Sequence, residues 1–156
     1  TRRHFKVDFD LVVTAQQVRS YKPDPAHFKE AERRIGGKKG WVHVASSYYY
    51  DVEPCVQAKI PVIWVNRSKE TLEPGQKKPT AEVKNLLEAV KLLASRGWTS
   101  PVCIAVHGLF ADNSDALLAK AGARVVTTNS VLHASNAIDV GQRLAIAVNE
   151  LSTCCS

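Results

Sequence analysis

The chain has 156 residues, 45% of them apolar and 23% charged, which is enough for a packed α/β core. Its net charge of +6 is dispersed over pairs in separate segments (Arg2-Arg3, Arg33-Arg34, Lys38-Lys39, Lys77-Lys78), without the single basic stripe of a nucleic-acid reader. No apolar run approaches the roughly 18 residues of a membrane span, and no signal-peptide apolar core follows Thr1-Arg2-Arg3-His4.

Along the chain, short β-branched runs alternate with helical patterns, as in parallel βα units. The first run is 11–14. Asp24 then reads as a helix cap with Pro25 behind it, and Phe28, Ala31 and Ile35 lie on one helical face that ends at Gly36-Gly37. The second run is 41–45; Tyr48-Tyr49-Tyr50 shield the next helix, and Asp51 reads as its cap. A third run, 61–66, leads into the polar stretch 67–79, which contains Pro74-Gly75 and is the best linker candidate. The longest helix is expected over 81–96, with Val83, Leu86, Leu87, Val90, Leu93 and Ala94 as one stripe. Runs 102–107 and 124–128 flank a helix that starts near Asp112 or Asn113 and ends at Gly122. Asn136-Ala137-Ile138-Asp139 fits a short edge strand or a turn, and Val140, Leu144, Ala147 and Leu151 mark a last helix.

The near-continuous hydrophobicity of the runs predicts strands buried on both faces. The expected fold is a three-layer α/β/α Rossmann-like sandwich of five to six mainly parallel strands in one fused domain. Numbering the five runs along the chain, the sheet order is 3-2-1-4-5, or 3-2-4-5-1 as a circular permutant would give. Among the four cysteines, Cys55 and Cys103 fall in core patterns and read as reduced thiols of a cytoplasmic protein, while adjacent Cys154 and Cys155 cannot readily bridge each other. The chain contains no methionine, which suggests processing or construction.

Two motif sets stand end to end. Ser20-Tyr21-Lys22-Pro23-Asp24-Pro25, followed by Trp41-Val42-His43-Val44-Ala45-Ser46-Ser47 and Asp51, resembles the second half of a haloacid dehalogenase-like hydrolase over about residues 1–66. The resemblance implies that Lys22 is the charge-balancing lysine and Ser46 and Asp51 the first and last positions of the closing motif, in the metal-independent branch. The family's nucleophilic aspartate has no counterpart on a matching strand; the one D-x-D is Asp8-Phe9-Asp10. Val106-His107-Gly108-Leu109-Phe110 and Val125-Val126-Thr127-Thr128-Asn129-Ser130 resemble the tail of a ribose-phosphate pyrophosphokinase over about residues 80–150. There the acidic pair and glycine-rich loop of that family are replaced by Glu73-Pro74-Gly75-Gln76-Lys77-Lys78-Pro79-Thr80.

The sequence therefore reads first as a recombined or designed α/β scaffold with at most weak binding of phosphate or another small anion. The alternative is a residual dehalogenase-like hydrolase acting on a phosphate ester or 2-haloacid. Anion-binding candidates at the strand ends are Lys22, Ser46, Ser47, Arg67, Thr127, Thr128, Asn129 and Ser130. Catalytic candidates are Lys22, Ser46, Asp51, His107 and Thr128, with His107 a base for Ser46 or Thr128. No metal or cofactor, no nucleic acid and no membrane is expected as partner, and the chain is expected to be a monomer or weak homodimer.

Overall fold

The structure, a computed structural model, describes residues 11–141 and 145. They fall into two compact units, one ending at Leu93 and one beginning at Ala94. Each holds a three-stranded sheet in which every pair is parallel, an α/β, Rossmann-like arrangement.

The first unit opens without a strand. Residues 11–14 lead into a single turn, α1 (Ala15–Val18), where Thr14 and Gln17 form a reciprocal capping box. The Val12 carbonyl, which a strand would use in its ladder, instead accepts from Arg34 Nη1 at 3.1 Å. Helix α2 (Ala26–Ile35) begins where Asp24 Oδ1 accepts from the Ala26 N–H at 2.8 Å and ends at Gly36, whose φ of 80° suits glycine.

β1 (His43–Ala45) pairs with β2 (Val62–Val65), and β2 with β3 (Ala81–Val83). A π-helical turn (Tyr48–Val52) and α3 (Glu53–Gln57) connect the first two strands. All four β2 residues are buried, and they face alternate sides. Val62 and Trp64 pack with Phe28, Tyr48, Val52, Cys55 and Ile60, whereas Ile63 and Val65 pack with Ala89 and Leu92 of α4 (Leu86–Ser95). The first unit is thus helix, sheet and helix, and each fully buried aliphatic side chain contributes about 1.5–3 kcal/mol.

The helix expected from residue 81 begins at Leu86. Its first residues are claimed by the ladder: the Val83 carbonyl accepts from Asn66 N–H at 2.9 Å, and Thr80 Oγ1 accepts from Val62 N–H at 3.0 Å. Asn85 then accepts from Glu88 N–H, and Glu88 accepts from Lys84 N–H, both at 2.9 Å. The stretch 67–79 lies inside this unit: Asn66 bonds both main-chain groups of Glu70, and the Tyr48 hydroxyl donates to the Lys77 carbonyl.

In the second unit β4 (Val102–Ala105), β5 (Arg124–Thr128) and β6 (Asn136–Ile138) lie in that order, with α5 (Ser114–Lys120) between the first two. The edge-strand alternative for 136–139 is therefore the one realised. The pairing of β5 with β6 is irregular between Thr127 and Thr128. β4 departs from the expected two-sided burial: Val102 and Ile104 are each 44% exposed. Neither five-strand order, 3-2-1-4-5 or 3-2-4-5-1, is observed, because run 11–14 forms no strand and 81–83 supplies an unforeseen one; the neighbours 3-2 and 4-5 do pair. The expected last helix lies largely outside the described residues, as do Cys154 and Cys155. Among the described residues no helix is long and apolar enough to cross a membrane.

Candidate functional site

Ser46 and Ser47 come directly after β1. Ser47, not Asp51, is the cap of the next turn: its Oγ accepts from the Tyr50 N–H at 3.2 Å. The turn is wound one residue wider than an α-helix, with the Val52 N–H reaching back to the Ser47 carbonyl at 3.2 Å. Asp51 is thereby released from capping, and its carboxylate Oδ1 accepts from Lys22 Nζ at 2.6 Å and lies 3.5 Å from His43 Nε2. The Asp51 side chain is 13% exposed. Burial pushes its carboxyl upward, but the bonds from His43 and Lys22 outweigh burial and hold it below the ordinary value. His43 is fixed from its other side by Phe28, edge to face at 5.4 Å.

Ser46 Oγ donates to the Val65 carbonyl over a long 3.3 Å, and the Ser46 carbonyl accepts from the Trp64 indole. Ser46 and Arg67 share a cavity of about 120 Å³ with Val44, Ala45, Val65 and Leu86, at the carboxyl ends of β1 and β2. Of the tyrosines, Tyr48 is buried against Trp64, while Tyr49, Tyr50 and Tyr21 are exposed. Cys55 lies in the core behind Asp51; burial, helped by the Asp51 charge, pushes its thiol up to about 12.

In the second unit Thr128 donates to the Val106 carbonyl, and Ser130 Oγ lies 2.8 Å from Thr128 Oγ1. The hydroxyl that His107 meets is that of Ser130, at 2.9 Å from Nδ1. Thr127 is fully buried, with Oγ1 2.8 Å from Ser135 Oγ and 2.9 Å from Asn136 Nδ2. Asn129 Nδ2 donates to Asp139. Hydroxyls 127, 128 and 130 are therefore engaged within the unit. Among the described residues no group of three His, Cys, Asp or Glu side chains is placed to hold a metal.

The sequence reading missed His43 and, in the second unit, Asp115, His133 and Ser135. His43 sits within an apolar strand pattern that signals only core. The other three are brought together by the β5–β6 loop, whose path no spacing rule fixes.

No family model matches the chain. About half of it is haloacid dehalogenase-like in sequence. It is 32% identical over 80 residues to the (S)-2-haloacid dehalogenase of Pseudomonas putida, covering 51% of this chain and 35% of that protein. It is 31% identical over 85 residues to (S)-2-haloacid dehalogenase 2 of Pseudomonas sp. strain CBS-3, covering 54% and 37%. The chain thus spans little more than a third of the length of these curated relatives. Among solved structures, the 2-haloacid dehalogenase of Pseudomonas syringae pv. Tomato aligns with a TM-score of 0.49 at 31% identity, over 56% of this chain and 38% of that one. A HAD phosphatase from Thermococcus onnurineus aligns with a TM-score of 0.46 at 29% identity, over 55% and 39%. The pyrophosphokinase resemblance rests on its sequence motifs alone.

Proposed function

We propose that the first unit carries the anion-holding side of a haloacid dehalogenase-like hydrolase site, taking a 2-haloacid or a phosphate ester. The observation that carries this reading is the 2.6 Å contact of Lys22 with Asp51 across 29 positions of sequence, at the two residues that match the family's lysine and closing acid. Lys22 has three N–H donors and gives one to Asp51, so two are left for a substrate carboxylate or phosphate. Asp51 fixes the ammonium in place. In this reading Ser46 exchanges its long contact with the Val65 carbonyl for a bond to the anion; Ser46 lines one cavity with Arg67, a second cation, and with Val44, Val65 and Leu86 as apolar wall, a lining that does not include Lys22.

The covalent step of such a hydrolase joins a carboxylate oxygen to the substrate carbon as the halide leaves with its electron pair; water then cleaves the ester. The only D-x-D of the sequence, Asp8-Phe9-Asp10, lies outside the described residues, and no role is assigned to it. Halide release from 2-chloropropionate tests the reading. Wild-type turnover that falls at least tenfold in Lys22→Ala and Asp51→Asn, both still folded, supports it, and undetectable wild-type turnover across 2-haloacids and phosphate esters ends it.

A second reading, an anion-binding scaffold without turnover, is favoured by Lys22 already being neutralised by Asp51. It predicts that phosphate or 2-chloropropionate at about 100 times its dissociation constant stabilises the fold by roughly 2.7 kcal/mol, with no product formed. A recombined or designed join at 67–79 draws no support from the packing of that stretch, since Asn66 and Tyr48 tie it to the first unit.

A further inference from the structure

The second unit holds a chain of side-chain hydrogen bonds that runs to His133, whose Nε2 stands 3.4 Å from the Asp115 carboxylate, and neither reading of the first unit uses it. The contacts of Asn136 and of the backbone N–H groups can act in one sense only. Asn136 Oδ1 accepts from the His133 N–H at 2.9 Å, which makes Asn136 Nδ2 the donor to Thr127 Oγ1 at 2.9 Å. The His133 ring is fixed likewise. Its Nδ1 accepts from the Ser135 N–H at 3.1 Å, so in the neutral ring the proton sits on Nε2, 3.4 Å from Asp115 Oδ2. Thr127 keeps its own proton and a second acceptor position for Ser135. Thr127 Oγ1 lies 2.8 Å from Ser135 Oγ, a contact in which either hydroxyl can donate, and Ser135 Oγ lies 2.8 Å from His133 Nδ1, which it shares with its own N–H.

The scaffold around this chain is close-fitting. Thr127 is fully buried on β5, and its N–H donates to the Ser135 carbonyl at 2.9 Å. The His133 ring packs on Phe110 with centroids 4.7 Å apart. Gly108 packs closely beneath it: a Cβ there would stand 3.0 Å from His133 Cβ and 3.4 Å from Thr127 Oγ1. Ser135 itself is only partly buried, and exposed Leu132 and Leu109 (97% and 75%) flank the same loops.

We propose that Ser135 is a nucleophile, with His133 as its general base and Asp115 as the group that stabilises the imidazolium, and that it is acylated by small uncharged esters. A serine needs such a base within hydrogen-bond reach, oriented by a third group; here the two ring nitrogens exchange the places they hold in serine proteases. In the acylation step Ser135 Oγ forms a bond to the ester carbonyl carbon while its proton passes to His133 Nδ1. The tetrahedral adduct collapses with cleavage of the carbon–alkoxy bond, and the alcohol leaves with that proton. Water then adds to the acyl-Ser135, His133 taking its proton and returning it to Oγ as the carboxylic acid departs.

The test treats the whole chain with a fluorophosphonate and with p-nitrophenyl acetate, and maps the modified peptide by mass. The expected result is a single label on Ser135, absent from Ser135→Ala, with the labelling rate lowered about 100-fold or more in His133→Gln. Asp115→Asn, which keeps shape and removes charge, lowers it about tenfold or more. No label on a wild-type protein that still melts cooperatively overturns the proposal, as does a label on another residue or one whose rate is unchanged in His133→Gln. Mapping of the wild type decides the matter even where a variant fails to fold.

Discussion

Each unit has a three-stranded sheet with parallel pairing, yet the interiors of the two are stabilised by different physics. In the first, β2 buries Val62, Ile63, Trp64 and Val65 on two faces, and polar groups sit at the strand ends. In the second, the buried end of β5 is Val126-Thr127-Thr128, and β4 leaves Val102 and Ile104 half in solvent. Apolar burial is non-directional and tolerates repacking, whereas a buried hydroxyl stabilises only while its partners keep their geometry. The first unit should therefore respond to volume, and the second to the identity of single polar atoms.

The largest expected effect is that of Trp64→Ala, which removes the biggest side chain of the first core and orphans the Ser46 carbonyl. A loss of about 3–5 kcal/mol in denaturant unfolding is expected, with faster amide exchange over 43–83. Unchanged exchange in that segment would break the comparison from its apolar side. Next comes Thr127→Val, which keeps the volume of a buried side chain but removes two hydrogen bonds, to Asn136 Nδ2 and Ser135 Oγ; at about 0.5–1.5 kcal/mol each it should cost about 1–3 kcal/mol. A neutral result would mean that shape, not hydrogen bonding, holds the second unit.

Asp51→Asn should cost about 1–2 kcal/mol at pH 7, discounted because Lys22 is 43% exposed. The sign comes from the depressed carboxyl: an acid held below its unfolded value stabilises the fold above that value and loses the contribution as pH falls through the folded one. Wild type should lose stability on acidification from about pH 5 downward by more than the Asn variant does, a difference visible in paired melts across that range. The smallest effect is expected of Ile104→Ser on the exposed side of β4, within about 0.5 kcal/mol by the same unfolding measurement. A loss of several kcal/mol there would show that this face is covered in solution.

Much of the fold was legible in the sequence because it rests on local rules. Runs 61–66 and 124–128 became β2 and β5, Gly36 ended α2, and Asp24 satisfied the first N–H of that helix. Errors arose where two local rules competed and tertiary pairing decided. Val83 fits a helical stripe as well as a strand, and the β2 ladder claimed it. Run 11–14 has strand composition, but Arg34 took its carbonyl and Thr14 became a cap. At the candidate site, Lys22, Ser46 and Asp51 were found through motif order. The role of Asp51 was misread, because Ser47 and Asp51 are both good caps and only the width of the turn tells which is used. His43, Asp115, His133 and Ser135 were beyond reach, since their pairings span loops.

That wide turn has a consequence for which changes the chain tolerates. Between the Ser47 cap and the Asp51 carboxylate stand Tyr48, buried, and Tyr49 and Tyr50, both exposed. The two exposed rings are open to nearly any substitution. Their number is not, because one residue more or fewer rotates every downstream side chain by about 100° about the helix axis. Either the cap would leave the Tyr50 N–H, or the carboxylate would swing away from Lys22. This segment should vary freely in composition across relatives while its length stays constant, a pattern opposite to that of an ordinary surface loop.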